Sequence, residues 1–133
     1  VGGEVVANGV NLFGEPWRVG INTPLIGADP LNFFEVIELN NQALATSGNY
    51  QNFYKIDNKL IGHTIDPRSG QPMINELRSA SILHKNCAVA DAYATACMTL
   101  GLEESKKIIS NDSSISAYLI YENDSTLEGV FVR

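Results

Sequence analysis

The sequence predicts an α+β fold with a largely antiparallel sheet and two consecutive helices. Three observations support this class: short β-type runs joined by short connections, then an alanine-rich stretch with helical spacing, then further β-type runs. The chain has 133 residues, of which 44% are hydrophobic and 18% charged. That size and composition are typical of one globular domain with a modest core.

Runs of β-branched and aromatic residues bounded by turn residues predict the strands. They are Glu4–Ala7, Trp17–Ile21, Phe33–Leu39, Asn52–Ile56, Lys59–Ile65, Arg78–His84, Ile115–Tyr121 and Gly129–Arg133. The pair Asp57-Asn58 predicts a tight hairpin between two of them. The stretch "ATSGNY", Ala45–Tyr50, is interpreted as a plain turn between a helix and a strand, because small, hydroxyl and glycine residues dominate it.

The clearest helix lies between Asn86, a residue suited to the N-cap, and Gly101, a residue suited to the C-terminal end. A second helix is predicted at Leu102–Ile109. Helical spacing predicts that the first helix turns four residues to the core, namely Val89, Tyr93, Cys97 and Leu100. Its two cysteines, Cys87 and Cys97, would lie roughly 15 Å apart on one helix, too far for a disulfide.

The overall charge narrows the class of binding partner, and the first residues bear on how the chain is produced. The net charge of -6 and the pI of about 4.7 argue against a nucleic-acid partner, because binding the phosphate backbone of a nucleic acid needs a basic surface. No apolar run approaches the roughly 20 residues that span a bilayer. The sequence opens on Val1 directly before "GGEVVANG". We therefore expect a processed or excised piece of a longer protein, with any signal peptide or anchor upstream.

Asp91 and Thr95 are candidate ligands of a magnesium ion. They are four residues apart on the first helix, so they share one face with the small residues Ala88, Ala92 and Ala96. Their hard oxygens suit Mg²⁺, which takes few protein ligands and completes its shell with substrate phosphates and water. The alternative from spacing alone is a solvated Asp91 and a Thr95 hydroxyl bonded back to its own helix.

The stretch "GHTIDPRSGQP", Gly62–Pro72, combines a histidine with a turn signal. Asp66-Pro67 and Gly70 favour a chain reversal. His63 is either a core residue beside Ile65 or a catalytic group. "ATSGNY" can present backbone N–H groups to a phosphate, and the paired glycines of "VGGEV" allow a ligand to approach the backbone closely, but tight bends use the same residues.

Four stretches taken together resemble the C-terminal half of the FAD:protein FMN transferases, the ApbE family. They are "GGEV…G…PWRVGI", "ALATSGNY", "HTIDPRSGQP" and "ADAYATACMTLG", and the resemblance spans roughly residues 1–121. It implies that residues 1–133 are the C-terminal portion of a flavin transferase domain. The chain departs mildly from the family pattern at Glu4, Thr64 and Ser69, and strongly in its length, because the N-terminal half is missing.

The resemblance implies the reaction and the roles of individual residues. Such enzymes cleave the FAD diphosphate, attach FMN to a threonine or serine hydroxyl of a partner protein and release AMP, with Mg²⁺ required. By position, Asp91 and Thr95 match the metal-binding pair and His63 the catalytic histidine. The remaining matches are flavin- or FAD-site residues: Gly2, Gly3, Glu4, Thr46, Ser47 and Gly48.

Two other functions remain open at this point. The same diphosphate site would serve an FAD hydrolase that uses water, and the chain by itself could be a non-catalytic flavin-binding module. The resemblance also implies an acceptor protein in a membrane redox complex. It further implies a location in the periplasm, or on the outer face of the bacterial cytoplasmic membrane, through an anchor outside this chain.

Overall fold

The structure is a computed structural model that describes residues 3–50, 53–56, 59–62 and 64–133. The first strands are β1 (Val5–Ala7), β2 (Trp17–Asn22), β3 (Phe33–Leu39), β4 (Gln42–Gly48), β5 (Phe53–Ile56), β6 (Lys59–Gly62) and β7 (Leu77–His84). The helices α1 (Cys87–Leu100) and α2 (Leu102–Ser110) follow, and then the strands β8 (Ser116–Asn123) and β9 (Thr126–Val132).

The main sheet has five strands in the order β1-β4-β7-β8-β9, and each neighbouring pair is antiparallel. The pairs β2-β3 and β5-β6 form separate two-stranded antiparallel sheets. The predicted α+β class with a largely antiparallel sheet and two consecutive helices is therefore confirmed.

The two faces of the main sheet bury different sets of residues, because successive side chains of a strand point to opposite faces. Ala45 of β4 and Ile82 of β7 pack with the helices. Their neighbours Leu44 and Leu83 pack with residues of β2 and β3 on the other face. The sheet is thus the middle layer, with the helices on one side and the β2-β3 pair on the other.

Helix α1 has the predicted ends and a core face that is only partly the predicted one. The Asn86 side chain accepts hydrogen bonds from the backbone N–H groups of Ala88 and Val89, and the chain leaves the helix at Gly101 with φ of 78°. The buried residues are Ala90, Ala94, Cys97 and Met98. The prediction was right for Cys97 and for Tyr93, which is half-buried and packs against the core. Val89 and Leu100 are half-buried and are not among the core residues of the described chain. Alanines face the sheet because their small side chains let helix and sheet pack closely.

The interpretation of "ATSGNY" as a turn was wrong, since its first four residues belong to β4. Hydrogen bonding to β1 on one side and β7 on the other makes β4 an interior strand of the sheet. Ala43, Leu44 and Ala45 are buried there. The preceding reversal from β3 uses Asn41, whose φ of 51° is left-handed, a conformation that asparagine tolerates.

The last two strands extend further than predicted and meet in a tight turn. Asn123 pairs with Thr126, and the two residues between them, Asp124 and Ser125, both have positive φ. Such a two-residue turn matches the twist of a hairpin. The predicted turn at Asp57-Asn58 lies outside the described residues, although the strands on either side of it pair.

Neither helix in the described ranges has the length and apolar character needed to cross a membrane.

Candidate functional site

The candidate site lies where the end of β4 meets the middle of α1. Ser47 shares the helix-facing side of β4 with Ala45, two residues before it. Its Oγ lies 3.2 Å from Oγ1 of Thr95, and either hydroxyl can donate. The structure thus brings together one residue of the predicted FAD-lining segment and one of the predicted metal-binding pair. Sequence spacing could not reveal this contact, because the two residues are 48 positions apart.

Asp91 and Thr95 occupy an open face of α1. Ala88, Asp91, Ala92 and Thr95 are all exposed, in contrast to the buried Ala90 and Ala94 on the opposite side of the helix. The two alanines beside the carboxylate leave the helix surface low and accessible. A diphosphate could therefore approach both oxygen-bearing side chains without displacing a bulky residue.

The oxygen atoms at this face fit a magnesium ion that is shared with a substrate. Within the described ranges there is no group of three or more His, Cys, Asp or Glu side chains that could hold a metal. The face offers instead one carboxylate, on Asp91, and the hydroxyls of Thr95 and Ser47. Mg²⁺ commonly binds through one or two carboxylates plus phosphate oxygens and water. The donor set suits that mode rather than a cage made of protein alone.

Thr46 lies on the opposite face of the sheet from Ser47. Its Oγ1 is 2.8 Å from the Oγ of Ser81 on the neighbouring strand, and Ser81 is fully buried. The side chain of Thr46 thus connects β4 to β7 on the side that faces β2 and β3. Its location separates it from the helix face that carries Thr95.

Gly48 ends β4 where a side chain has no room. A Cβ added there would lie 2.6 Å from the ring of Tyr50 and 3.2 Å from the carbonyl oxygen of Arg78. The glycine therefore lets the Tyr50 ring lie against the backbone at the end of the strand. Within the described residues, Ser47 is the one member of the predicted segment Thr46–Gly48 whose side chain is hydrogen-bonded to α1.

The predicted "GGE" element enters the same region through β1. Val5 pairs with Leu44 in an antiparallel register, so the residues before Val5 run toward the Thr46–Gly48 end of β4. Gly3 has φ of 111°, a conformation that favours glycine, and Glu4 is half-buried. Gly2 lies outside the described residues.

The "DPRSG" stretch forms the predicted turn. The carboxylate of Asp66 accepts hydrogen bonds from the backbone N–H of Arg68 at 2.9 Å and from its Nε at 3.0 Å. The Gly70 N–H donates to the Asp66 carbonyl at 2.8 Å. Hydrogen bonds from Arg68 hold the pKa of Asp66 below its usual value. Arg68 is thus bound within its own turn.

His63, the predicted catalytic residue, lies outside the described residues, but the chain that follows it is described. Thr64 accepts a hydrogen bond from the N–H of Met73 at 2.9 Å, and Ile65 pairs with Pro72. The two ends of the turn are therefore held together directly after position 63.

Sequence reasoning missed two residues that connect this turn to the helices. The side-chain amide of Asn75 donates to the carbonyl of Met98, and Oε1 of Glu76 accepts from the N–H of Leu102. The only signal was a pair of polar residues directly before a buried strand, and their partners are 23 and 26 positions away. No local pattern could have identified those partners.

Comparison with known proteins gives a consistent assignment. A sequence profile described as the ApbE family matches residues 1–119. A Klebsiella pneumoniae protein named FAD:protein FMN transferase is 36% identical over 121 residues, which are 90% of this chain and 33% of the relative. The Escherichia coli K12 protein of the same name is 35% identical over 126 residues, 94% of this chain and 35% of the relative. This chain thus spans about a third of the length of these relatives.

Solved structures agree with the sequence matches. The apo flavinyl transferase ApbE of Pseudomonas stutzeri superposes with a TM-score of 0.79 at 28% identity, covering 100% of this chain and 40% of that one. The flavin transferase ApbE of Vibrio cholerae gives a TM-score of 0.79 at 31% identity, covering 99% of this chain and 40% of its own. With a family match over 119 of 133 residues and the same fold in these structures, the chain belongs to the ApbE family.

Proposed function

We propose that the whole natural protein transfers FMN from FAD to a threonine or serine hydroxyl of an acceptor protein and releases AMP. The relatives are named FAD:protein FMN transferase, which gives FAD as the donor and a protein as the acceptor of FMN. The threonine or serine hydroxyl and the release of AMP are proposed from the family resemblance. The observation in this chain that carries the proposal is the contact between Ser47 and Thr95. It joins the flavin-motif strand to the helix face that presents Asp91, and so forms one polar surface from two separate motifs.

The proposed chemistry is one displacement at phosphorus. The acceptor oxygen forms a bond to the phosphorus of the FMN half while the bond to the AMP oxygen breaks. Mg²⁺ held with the diphosphate would neutralise the charge that develops on the leaving phosphate. Asp91 and Thr95 would hold the metal, and Ser47 would fix the orientation of the Thr95 hydroxyl.

His63 is proposed to take the proton of the attacking hydroxyl. An imidazole with an ordinary pKa of about 6.5 can act as a base near neutral pH. The support is its place in the "HTIDPRSG" motif, directly before a turn that Asp66 closes through hydrogen bonds. A rigid turn after the histidine would restrict the positions that its side chain can take.

The partner and the location are proposed from the family resemblance alone. The acceptor would be a subunit of a membrane redox complex. The transfer would take place in the periplasm or at the outer face of the bacterial cytoplasmic membrane.

The test uses the whole natural protein with FAD, Mg²⁺ and a membrane fraction of the source cells as the acceptor. Transfer gives a fluorescent protein band and free AMP, whereas hydrolysis gives AMP and free FMN without a labelled band. A protein that binds FAD and forms neither product is a flavin-binding module. We expect His63→Ala to abolish labelling while FAD binding persists. Labelling by this variant at the wild-type rate would rule out His63 as the base.

A further inference from the structure

We propose that Asn49 is a positioning residue for the metal site. It fastens the end of β4 to the start of β7, and so keeps the Ser47 hydroxyl in contact with Thr95. This inference rests on the proposed function, because Thr95 matters here as a ligand of the metal ion. It adds the residue that holds the flavin-motif strand against the metal-binding helix.

The end of β4 has fewer strand contacts than its start. Pairing with β1 runs from Gln42 to Leu44, whereas pairing with β7 continues to Gly48. Within the described part of the chain, residues 45–48 therefore have a neighbouring strand on one side only. Backbone held in this way opens more easily than the interior of a sheet. The exposed contact between Ser47 and Thr95 thus depends on what holds this end of the strand.

Asn49 binds β7 directly beyond the last paired residue of β4. The ladder between the two strands ends at Gly48 and Ser79. The N–H of Asn49 then donates to the carbonyl of Arg78 at 3.3 Å, and its side-chain amide donates to the carbonyl of Leu77 at 3.3 Å. One residue thus adds two hydrogen bonds at the point where the strand pairing stops.

The partner of the Asn49 amide is itself firmly anchored. Leu77 is fully buried in the core beneath the helices, and its N–H donates to Oδ1 of Asn75 at 3.0 Å. On its other side β7 shifts register against β8 between Leu77 and Ser79, as at a β-bulge, a feature that is common beside functional sites. Asn49 therefore ties the end of β4 to a fixed point.

The contact that Asn49 maintains bears on how Thr95 presents its hydroxyl. The Oγ atoms of Ser47 and Thr95 are 3.2 Å apart. A hydroxyl that donates its one proton to a neighbour keeps its lone pairs free for a metal ion, and such outer partners orient the ligands of a metal. Without Ser47 in place, the Thr95 hydroxyl can turn back to its own helix. Loss of Asn49 should thus weaken metal binding although every ligand is still present.

Two single variants and their combination show whether Asn49 acts through Ser47. Removing an outer partner of a metal ligand commonly lowers the metal affinity about tenfold to a hundredfold. We expect Ser47→Ala to lower the affinity about tenfold, and Asn49→Ala about threefold to tenfold, because the ladder to β7 remains. The double variant should match Ser47→Ala within about twofold, since residues that act through one contact do not add.

The experiment measures Mn²⁺ binding by electron paramagnetic resonance in the whole natural protein, with saturating FAD and no acceptor protein. Mn²⁺ takes the same kinds of oxygen ligand as Mg²⁺, and the signal of the free ion falls as it binds. Melting temperatures are recorded alongside. If Asn49→Ala does not fold, Asn49→Ser decides, because it keeps the backbone N–H while its side chain is too short to reach Leu77. It should lower the affinity over the same range.

Asn22→Ala is the matched control. The side-chain amide of Asn22 also donates to a backbone carbonyl, that of Pro30, at 2.7 Å, and Asn22 belongs to β2 on the other side of the sheet from the helices. This variant therefore removes the same kind of hydrogen bond from a different layer of the fold. It should leave the Mn²⁺ affinity unchanged.

The outcomes separate this inference from the proposed function. Wild-type protein that binds no Mn²⁺ in the presence of FAD refutes the metal site of the proposed function, and the inference with it. Wild-type protein that binds Mn²⁺, with Asn49→Ala binding it equally well, refutes the inference alone. So does a double variant in which the two losses multiply, since Asn49 would then act independently of Ser47. An equal loss in Asn22→Ala would also refute it, because the effect would follow stability rather than position.

Discussion

Replacing Thr95 with valine separates the proposed metal-binding role of its hydroxyl from its structural role. The two side chains have the same branched shape and similar helix propensity. The lost structural contact is the hydrogen bond to Ser47, which is 3.2 Å long and exposed. Such a bond contributes about 0.5 kcal/mol, so the melting temperature should fall by only about 2 °C. If Thr95 is a metal ligand, losing roughly 3 kcal/mol of transition-state stabilisation should slow transfer about a hundredfold.

The same helix offers a matched control. Thr99 lies one turn beyond Thr95, and its hydroxyl donates to the carbonyl of Ala96 at 2.8 Å. Thr99→Val therefore also removes one hydroxyl and one hydrogen bond from α1. The assay measures the rate of protein labelling by flavin fluorescence, alongside thermal unfolding of each variant. Transfer by Thr95→Val within about twofold of wild type would refute the reasoning, as would an equal loss in Thr99→Val.

Three further predictions concern stability. Hydrogen bonds from Arg68 lower the pKa of Asp66 below 3.8. This carboxylate therefore stabilises the fold above the unfolded-state pKa and loses that effect as the pH falls through the folded-state value. The difference in unfolding free energy between wild type and Asp66→Asn should thus shrink from pH 6 to pH 3, and a constant difference would contradict this prediction. Gly101→Ala should cost about 1–3 kcal/mol in urea denaturation, because φ of 78° with ψ of 179° is nearly exclusive to glycine; an unchanged midpoint would contradict this. Leu119→Ala should cost about 2–5 kcal/mol of unfolding free energy, since Leu119 is fully buried. Leu12→Ala, at a 99% exposed position, should change the unfolding free energy by under about 0.5 kcal/mol. Similar losses in both variants would contradict the core assignment.

The sequence was sufficient to predict those elements whose signals lie in neighbouring residues. Asn86 and Gly101 mark the ends of α1 because capping depends on residues next to the helix end. β4 was missed because "ATSG" has the composition of a loop, and its strand character comes from hydrogen bonding to β1 and β7 on either side. Part of the core face of α1 was wrongly assigned because alanine contributes little to a hydrophobic periodicity, whereas close packing on a sheet favours its small side chain.

The candidate site was predictable as a set of motifs but not as an arrangement. The resemblance supplied Ser47, Asp91 and Thr95 as separate residues, and only the fold shows that Ser47 contacts Thr95. It equally shows that Thr46 points to the other face and contacts Ser81. The Asn75 contact was invisible for the same reason, because long-range hydrogen bonds leave no periodic signal in a sequence.

The central claim is that the Asp91–Thr95 face of α1 binds Mg²⁺ together with the FAD diphosphate. The most direct measurement is the rate of FMN transfer as a function of Mg²⁺ concentration, for wild-type protein and for Asp91→Ala, with circular dichroism confirming that both are folded. We predict a saturable dependence for wild type that a chelator abolishes, and no transfer by Asp91→Ala at any Mg²⁺ concentration. The same Mg²⁺ curve for both proteins would contradict the claim.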